Sequence, residues 1–473
     1  MKIYAPNVHL FAYQLRQTTN SNGAETDNLT PLLDGGKAIV KAFGIDTQIP
    51  TRDRPGYRVD LLAENLKNDA IVHFEKEPDA DFTGIAYPVR IHDTYALALN
   101  IRRPERDRQD NKTELVEPTF FKQLNPQYCW HNIRPSIGKT LLLTAWYDPK
   151  NKWPFGQFQG KQDNFRELAD RCLASFQGKD PLPPFYQSGE LFGSPIYEYG
   201  IPGDANSNTQ ILVWIFRTSE TDRQLQAHYP NLVDILCYRH KIAKSYNKSR
   251  SVYKVCFHES RKLENTFDRV EKNLDRGLKA DSEEIKTWLK NFPRIAFEYD
   301  RLLQDLTNQL LTIQINSQNY KRELQSLQSQ LPDRNLSILE TFLESDRLFQ
   351  EQIRSDLGYL QQRAKLLDRA VETIRSIVEI EQQESLQELN NNDRDLQNTI
   401  AIVGVGLSFA AVGATVSPYL IKEEPDRPLI PLDLSALNSV HPLIFALLFS
   451  GFCGVIGAIV TKLIQEFQNK RDP

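Results

Sequence analysis

IAIVGVGLSFAAVGATVSPYLI, residues 400–421, is the stretch from which the fold is first read. It holds no charge, and its only members that are not apolar are Ser, Thr, Gly, Pro and Tyr. A second uncharged run, LIFALLFSGFCGVIGAIVT at 443–461, is closed by Lys462. About 18 or more apolar residues suffice to cross a bilayer as a helix, which satisfies its own backbone groups in lipid. The expectation is an integral membrane protein with two spans. The competing expectation is a buried helical hairpin in a globular core.

Charge beside the runs orients them. The segment between them holds Lys422 and Arg427 against Glu423, Glu424, Asp426 and Asp433, while the tail carries Lys462, Lys470 and Arg471. Positive charge favours the cytoplasmic side, so both termini are expected inside and an acidic loop outside. Met1 to Leu10 lacks the basic start and apolar core of a signal peptide, which agrees.

The 473 residues exceed one ordinary domain. Mean hydropathy is -0.48, so the two runs are local features of a polar chain. A net charge of -4 argues against a nucleic-acid partner, which needs a basic surface. Cys129, Cys172, Cys237, Cys256 and Cys453 show no paired spacing, as suits a reducing compartment.

Residues 1–240 read as mixed α/β. Strand signals fall at Lys2 to Leu15, Ala70 to Phe74, Gly84 to Arg102 (two strands around His92-Asp93-Thr94), Lys139 to Tyr147 and Ile211 to Phe216. Asp163 to Phe176 reads as an amphipathic helix stopped by Gly178. Asn20 to Thr30, Arg103 to Glu114 and Lys179 to Pro184 read as loops, and Asp34-Gly35-Gly36-Lys37 as a turn.

From about Thr221 the pattern is helical, with a break expected at Asn291-Phe292-Pro293. One heptad seam runs Leu303, Leu306, Leu310, Ile313, Ser317, Tyr320, Leu324, Leu327, Leu331. After Pro332-Asp333 a second runs Leu339, Phe342, Asp346, Phe349, Ile353, Leu357, Leu360, Ala364, Leu367, Val371, Ile374, Val378. Two such seams pack as an antiparallel hairpin or face other subunits. No proline follows Asn335 until Pro418, so the second helix is expected to run on into the first span, with a soluble part of about 90 Å.

The expected fold class is an α+β or α/β cytoplasmic domain (1–240), followed by long coiled-coil or stalk helices and two transmembrane α-helices. The boundaries are a helical region with a coiled-coil helix at 241–332, a stalk helix at 333–398, spans at 399–421 and 442–464, an external acidic loop at 422–441, and a cytoplasmic tail at 465–473.

Small residues form two rows on the first span: Gly404, Ser408, Ala411, Thr415 and Gly406, Ala410, Gly413, Ser417. The second span carries Gly451, Gly454 and Gly457. Such rows let helices approach closely in lipid, so both serve as packing seams, or the row with Ser408 and Thr415 lines a pore while Gly406, Ala410 and Gly413 pack. Charge selection would then come from acids at the mouths, Asp393, Asp395, Glu423, Glu424 and Asp426, each of which also reads as ordinary solvated loop charge.

This layout of α/β domain, paired helices, long stalk, span, loop, span and short basic tail resembles the CorA-type family of divalent cation channels and transporters. The resemblance covers most of the chain as a layout. It implies a homo-oligomer, a pentamer in that family, gated through the stalk, with a divalent cation as transported or regulatory ion and no other cofactor. The family's Gly-Met-Asn signature is absent: its place reads Ser417-Pro418-Tyr419-Leu420-Ile421, and the single methionine is Met1. The selectivity element is not carried over, and no metal ligand is assigned.

Other motifs are weak. Gly138-Lys139-Thr140 resembles the end of a phosphate-binding loop, but residue 133 is Ile and the motif leads into a strand. Cys129/His131, Cys237/His240 and Cys256/His258 are close pairs without the four-ligand spacing of a zinc site. The basic cluster Arg239, His240, Lys241, Lys244, Lys248, Arg250 and Lys254 reads as a solvated helix face or as an anion or phosphate site. No catalytic residue is assigned.

Three functions compete. The first is a CorA-like membrane oligomer that conducts or gates ions and senses an unidentified cytoplasmic ligand. The second is a membrane-anchored interaction or signalling protein whose coiled coil and α/β domain recruit a protein partner without transport. The third is a membrane-tethered enzyme using residues 1–240, which would need a cleft with convergent polar groups.

Overall fold

The structure is a computed structural model that describes residues 1–19, 25–62, 71–76, 81–147, 163–178, 181–203, 208–275, 282–331 and 335–388. In chain order its elements are β1 (Ile3–Leu15), β2 (Gln17–Thr19), β3 (Glu25–Asp27), α1 (Leu29–Ala42), β4 (Arg58–Asp60), β5 (Val72–Glu75), β6 (Thr83–Ile91), β7 (Thr94–Arg102), α2 (Cys129–Asn132), β8 (Gly138–Tyr147), α3 (Asp163–Gln177), β9 (Phe185–Leu191), β10 (Ser194–Tyr199), β11 (Thr209–Phe216), α4 (Ser219–Ala227), α5 (Tyr229–Asp275), α6 (Ser282–Gln330) and α7 (Ser337–Glu388). Contacts divide the chain into two units, Met1–Ser249 with Gln309–Ile353, and Arg250–Asn308 with Arg354 onward.

The first unit is built on a sheet ordered β4-β6-β7-β1-β8-β11-β10-β9, with β5 also pairing β6. Neighbours are antiparallel except β8 and β11, which run parallel from Thr209↔Lys139 to Phe216↔Trp146. A parallel pair needs a long crossover. Here α3 leads out of β8's layer and β9 and β10 meander back to β11.

Side chains alternate across each strand, so the two faces are read by parity. One face carries Val8, Leu10, Ala12, Leu97, Leu99, Leu141, Leu143, Val213 and Ile215, and buries them with Leu32, Ile39 and Val40 of α1 and Leu168, Cys172 and Phe176 of α3. The other face carries Phe11, Leu142, Leu212 and Trp214, which share a closed space with Leu232 and Leu236 of α5, Tyr320 of α6 and Leu339 of α7. Both faces are covered, which is why the strands read as nearly continuous apolar runs.

The α6–α7 hairpin is antiparallel, as the seams allow. In the first unit Tyr320 donates to the Leu339 carbonyl at 2.7 Å, and Ser317 bonds Asp346 one turn further on. Tyr246 of α5 stacks on Phe349 of α7 at 4.0 Å. The start of α7 docks on β9: Glu190 N–H donates to Ser337 Oγ at 3.0 Å, and Asn335 Nδ2 to Glu190 Oε2 at 3.0 Å. In the second unit Cys256, Trp288, Phe292, Tyr299, Leu306, Leu357, Leu360 and Leu367 are buried. There Tyr299 donates to the Leu360 carbonyl at 3.1 Å, and Arg363 pairs with Glu264 at 3.3 Å.

Several expectations are corrected. Asp34-Gly35-Gly36-Lys37 is no turn but lies inside α1. Leu32, Leu33, Gly36, Ile39 and Val40 form its buried stripe, and a Cβ on Gly36 would sit 2.5 Å from Leu97 Cδ2. The glycine marks close approach of helix to sheet. Pro293 does not break the helix: α6 runs through it. A proline removes one backbone donor at a cost of about 3 kcal/mol, and the buried row Trp288, Phe292, Tyr299, Leu306 on both sides of it offsets that loss. The stretch 20–30 expected as a loop contains β3 and the start of α1.

The membrane expectation is corrected too. Among the described residues no helix is long and apolar enough to cross a membrane. The seam residues of α6 and α7 lie on one side of each helix, and the other faces carry charges such as Arg322, Arg347 and Glu351. The described helices thus give no support to the expected two transmembrane helices or to the integral-membrane localisation. The runs at 400–421 and 443–461 lie outside the described residues.

Candidate functional site

One face of the first unit's sheet carries a set of buried polar residues. His9, Asn100, Thr140, Thr144, Glu198 and Gln210 are all buried, at positions of the same parity as Phe11, Leu142 and Trp214. A buried polar group is costly unless hydrogen-bonded, and here neighbouring strands and α5, through Tyr229, Arg239 and His240, supply partners.

The main chain of contacts centres on Glu198, which is 1% exposed. It accepts from Arg239 of α5, from Gln210 Nε2 at 2.9 Å and from Gln187 Nε2 at 2.7 Å. Gln210 Oε1 accepts the Thr140 hydroxyl at 2.8 Å, since Thr140 and Gln210 stand side by side in the β8/β11 register. The Thr140 proton is thereby committed, so its oxygen accepts from His240 Nε2, 2.8 Å away. That order of donation fixes the His240 tautomer with its proton on Nε2. Burial pushes the His240 pKa down to about 3, so the imidazole is neutral at neutral pH. The Arg239 guanidinium also lies over the Phe342 ring of α7 at 4.3 Å from its centroid. One ion pair thus touches the sheet, α5 and the hairpin.

A second cluster surrounds His9. Its ring stacks on Phe11, and its Nδ1 is 3.3 Å from the Tyr229 hydroxyl and 3.2 Å from Asn100 Nδ2. Burial lowers its pKa to about 3. Further along α5, Asp234 accepts from Arg58 Nε of β4 at 2.7 Å, and Asp60 accepts from Tyr87 at 2.7 Å. Burial lifts Asp234 to about 6 against the pull of Arg58, and its Oδ1 is buried without a partner.

Two cavities of about 30 Å³ each flank the Glu198–Arg239 pair, one walled by Trp214, Leu236, Tyr320 and Leu339, the other by Gly200, Gly203, Asn208 and Lys244. Each is large enough to hold a water. With Glu198 held by three donors and His240 neutral, the arrangement acts as a clamp that fixes α5 and the hairpin on the sheet. A larger crevice lies elsewhere, about 600 Å³ at the β5–β6 edge, lined by Asp46, Glu75, His73 and Arg102 among others. Its lining carries both signs of charge, and Glu75 is already paired with Arg108 at 3.0 Å.

The structure disperses the basic cluster. Arg239 and His240 are buried in the clamp, Lys241 pairs with Asp93, and Arg250 with Asp356. Lys248 and Lys254 are exposed. Arg239, His240, Lys241 and Arg250 are thus each engaged with a partner within its own unit. Lys139 serves no phosphate loop: its ammonium is buried and donates to the Trp130 and Ile133 carbonyls at 2.7 and 2.9 Å, at the end of α2. A cation suits a helix C-terminus. Burial lowers its pKa to about 8.

Cys129, Cys172, Cys237 and Cys256 are buried free thiols, each pushed up to about 12 by burial. Among the described residues no three His, Cys, Asp or Glu side chains are grouped to hold a metal ion. Gly404, Ser408, Ala411, Thr415, Gly406, Ala410, Gly413, Gly451, Gly454, Gly457, Asp393, Asp395, Glu423, Glu424 and Asp426 lie outside the described residues.

Sequence reasoning missed Glu198 and Gln210, and gave Thr140, Arg239 and His240 other roles. Their signal is polar letters of a single parity inside otherwise apolar strands. Comparison with protein-family models, with characterised proteins and with solved structures finds no match.

Proposed function

We propose that the chain is a self-associating interaction or signalling protein without catalytic chemistry of its own. Its α/β sheet holds a long antiparallel helical hairpin whose outer faces recruit partners. The observation that carries this is the doubled use of the helices. Their seams are buried, yet Leu311, Ile315 and Leu348 of the first unit, and Phe297, Tyr359 and Leu366 of the second, are exposed on other faces. A helix paired on one side and apolar on another has a second packing surface to cover. The clamp suits this role, since a surface offered to a partner binds best when its scaffold is rigid beforehand.

The test is the mass of the full chain by light scattering over a range of concentrations. A species larger than one chain agrees with the proposal. A monomer at every concentration refutes self-association.

A further inference from the structure

Between α3 and β9 the chain reads Pro181-Leu182-Pro183-Pro184. These residues lie in neither helix nor strand, and β9 begins directly after them at Phe185. Each proline ring fixes φ at about −65°. A residue that precedes proline is kept out of the helical region, which holds Leu182 and Pro183 in extended backbone. The two restrictions together prescribe a polyproline II turn, with about three residues per turn and ~3.1 Å per residue. Burial follows that period. Pro181 and Pro184 share one ridge and are both exposed, Leu182 stands on the second ridge at 50% exposure, and Pro183 on the third is half-buried. The segment is tied at its end, where the Pro184 carbonyl accepts the Gly200 N–H at 2.8 Å.

We propose that residues 181–184 are a docking segment for a protein module whose aromatic-lined groove reads the polyproline II helix. Three of the four residues have no backbone N–H, so the segment cannot prolong β9 as a ladder strand, and a strand is not what it offers a partner. It offers instead a ridge of two rings, Pro181 and Pro184, one turn apart, with the apolar Leu182 beside them. A segment whose conformation is already set loses little entropy on binding, and aromatic-lined grooves exploit this when they take proline-rich ligands. Pro183 faces the protein and holds the ridge outward. The surface belongs to the first unit alone, lies apart from the helix faces described above, and requires no self-association.

The test passes the full chain over a panel of immobilised SH3, WW and EVH1 domains and reads binding by surface plasmon resonance. Saturable binding to at least one of them is expected, displaced by a free proline-rich peptide that fills the same groove. Pro181→Ala and Pro184→Ala are each expected to weaken it roughly tenfold, through the lost ring contact and the freer backbone. Alanine at 184 keeps the carbonyl that Gly200 bonds, and melting temperatures confirm that each variant is folded. Tyr57→Ala removes a ring that is 81% exposed elsewhere on the same unit, and is expected to leave binding unchanged. No binding across the panel overturns the proposal. So does binding that the peptide fails to displace, that survives both proline changes, or that Tyr57→Ala weakens equally. Any of these results leaves self-association standing, since that is read from mass alone.

Discussion

Replacing Asp234 with Asn tests whether α5 is seated on the β4 edge by a carboxylate that is costly to ionise. Two forces act on this side chain, which is 10% exposed. Arg58 Nε, 2.7 Å away, favours the charged form, while burial, reinforced by Glu323 and Asp60, favours the neutral one. Burial is the larger, and the carboxyl rises from 3.8 to about 6. That rise corresponds to about 3 kcal/mol. The folded state therefore binds this proton more tightly than the unfolded chain. Its contribution to stability is full below about pH 4, falls as pH rises towards 6, and is lost above that. Asp234→Asn removes the titration and cannot acquire the charge. Urea unfolding of wild type and variant, followed by tryptophan fluorescence at pH 4, 5, 6 and 7, should show the wild type losing on the order of 3 kcal/mol relative to the variant over that range. Parallel curves would refute the reasoning, and would mean that Arg58 solvates the carboxylate as well as water does.

Further expectations concern other parts of the fold. Glu198→Ala leaves Arg239 buried without its carboxylate, and thermal or urea unfolding should show a loss of about 3–5 kcal/mol, whereas apolar replacement of both partners should restore most of it. Gly84→Ala would place a Cβ 2.1 Å from the Asn100 carbonyl oxygen across the β6–β7 ladder; a loss above about 3 kcal/mol, read as a fall in soluble folded protein, is expected. Pro293→Ala should raise the melting temperature, because alanine restores the missing donor inside α6 and removes up to about 3 kcal/mol of helix penalty; an unchanged melting temperature would show that the surrounding helix has already adapted to the proline.

Local elements were legible in the sequence because their signals are local. The apolar runs at 139–147 and 211–216 are β8 and β11, the strands either side of His92-Asp93 are β6 and β7, and the helix from Asp163 ends at Gly178, whose φ of +66° explains the glycine. Most described members of both heptad seams are buried, among them Leu306, Ile313, Leu324, Leu327, Leu339, Ile353 and Leu360, while Leu303, Leu310, Phe349 and Ala364 are half-buried. Sheet order was not legible, because β1 lies between β7 and β8 and because β8 joins β11 across the intervening α3, β9 and β10. The clamp was hidden for the same reason: Arg239 and Glu198 are 41 residues apart, and Thr140 and His240 are 100 apart. Glycine at 36 and proline at 293 misled because tertiary packing overrides local propensity. The terminal apolar runs stand out by composition alone, a signal that carries no information about the clamp.

The docking of α7 on β9 bears on colloidal behaviour. The last strand of an open sheet normally offers unpaired amides that can template a foreign strand. At this end an edge amide, that of Glu190, is already taken by Ser337, and Gly189 lies so close beneath Ile338 that a Cβ there would be 3.0 Å from its backbone nitrogen. The helix start is a lid on that edge. Peeling it away, by truncation before Asn335 or by heating, would expose a sticky border, and the ensuing precipitation would begin at β9.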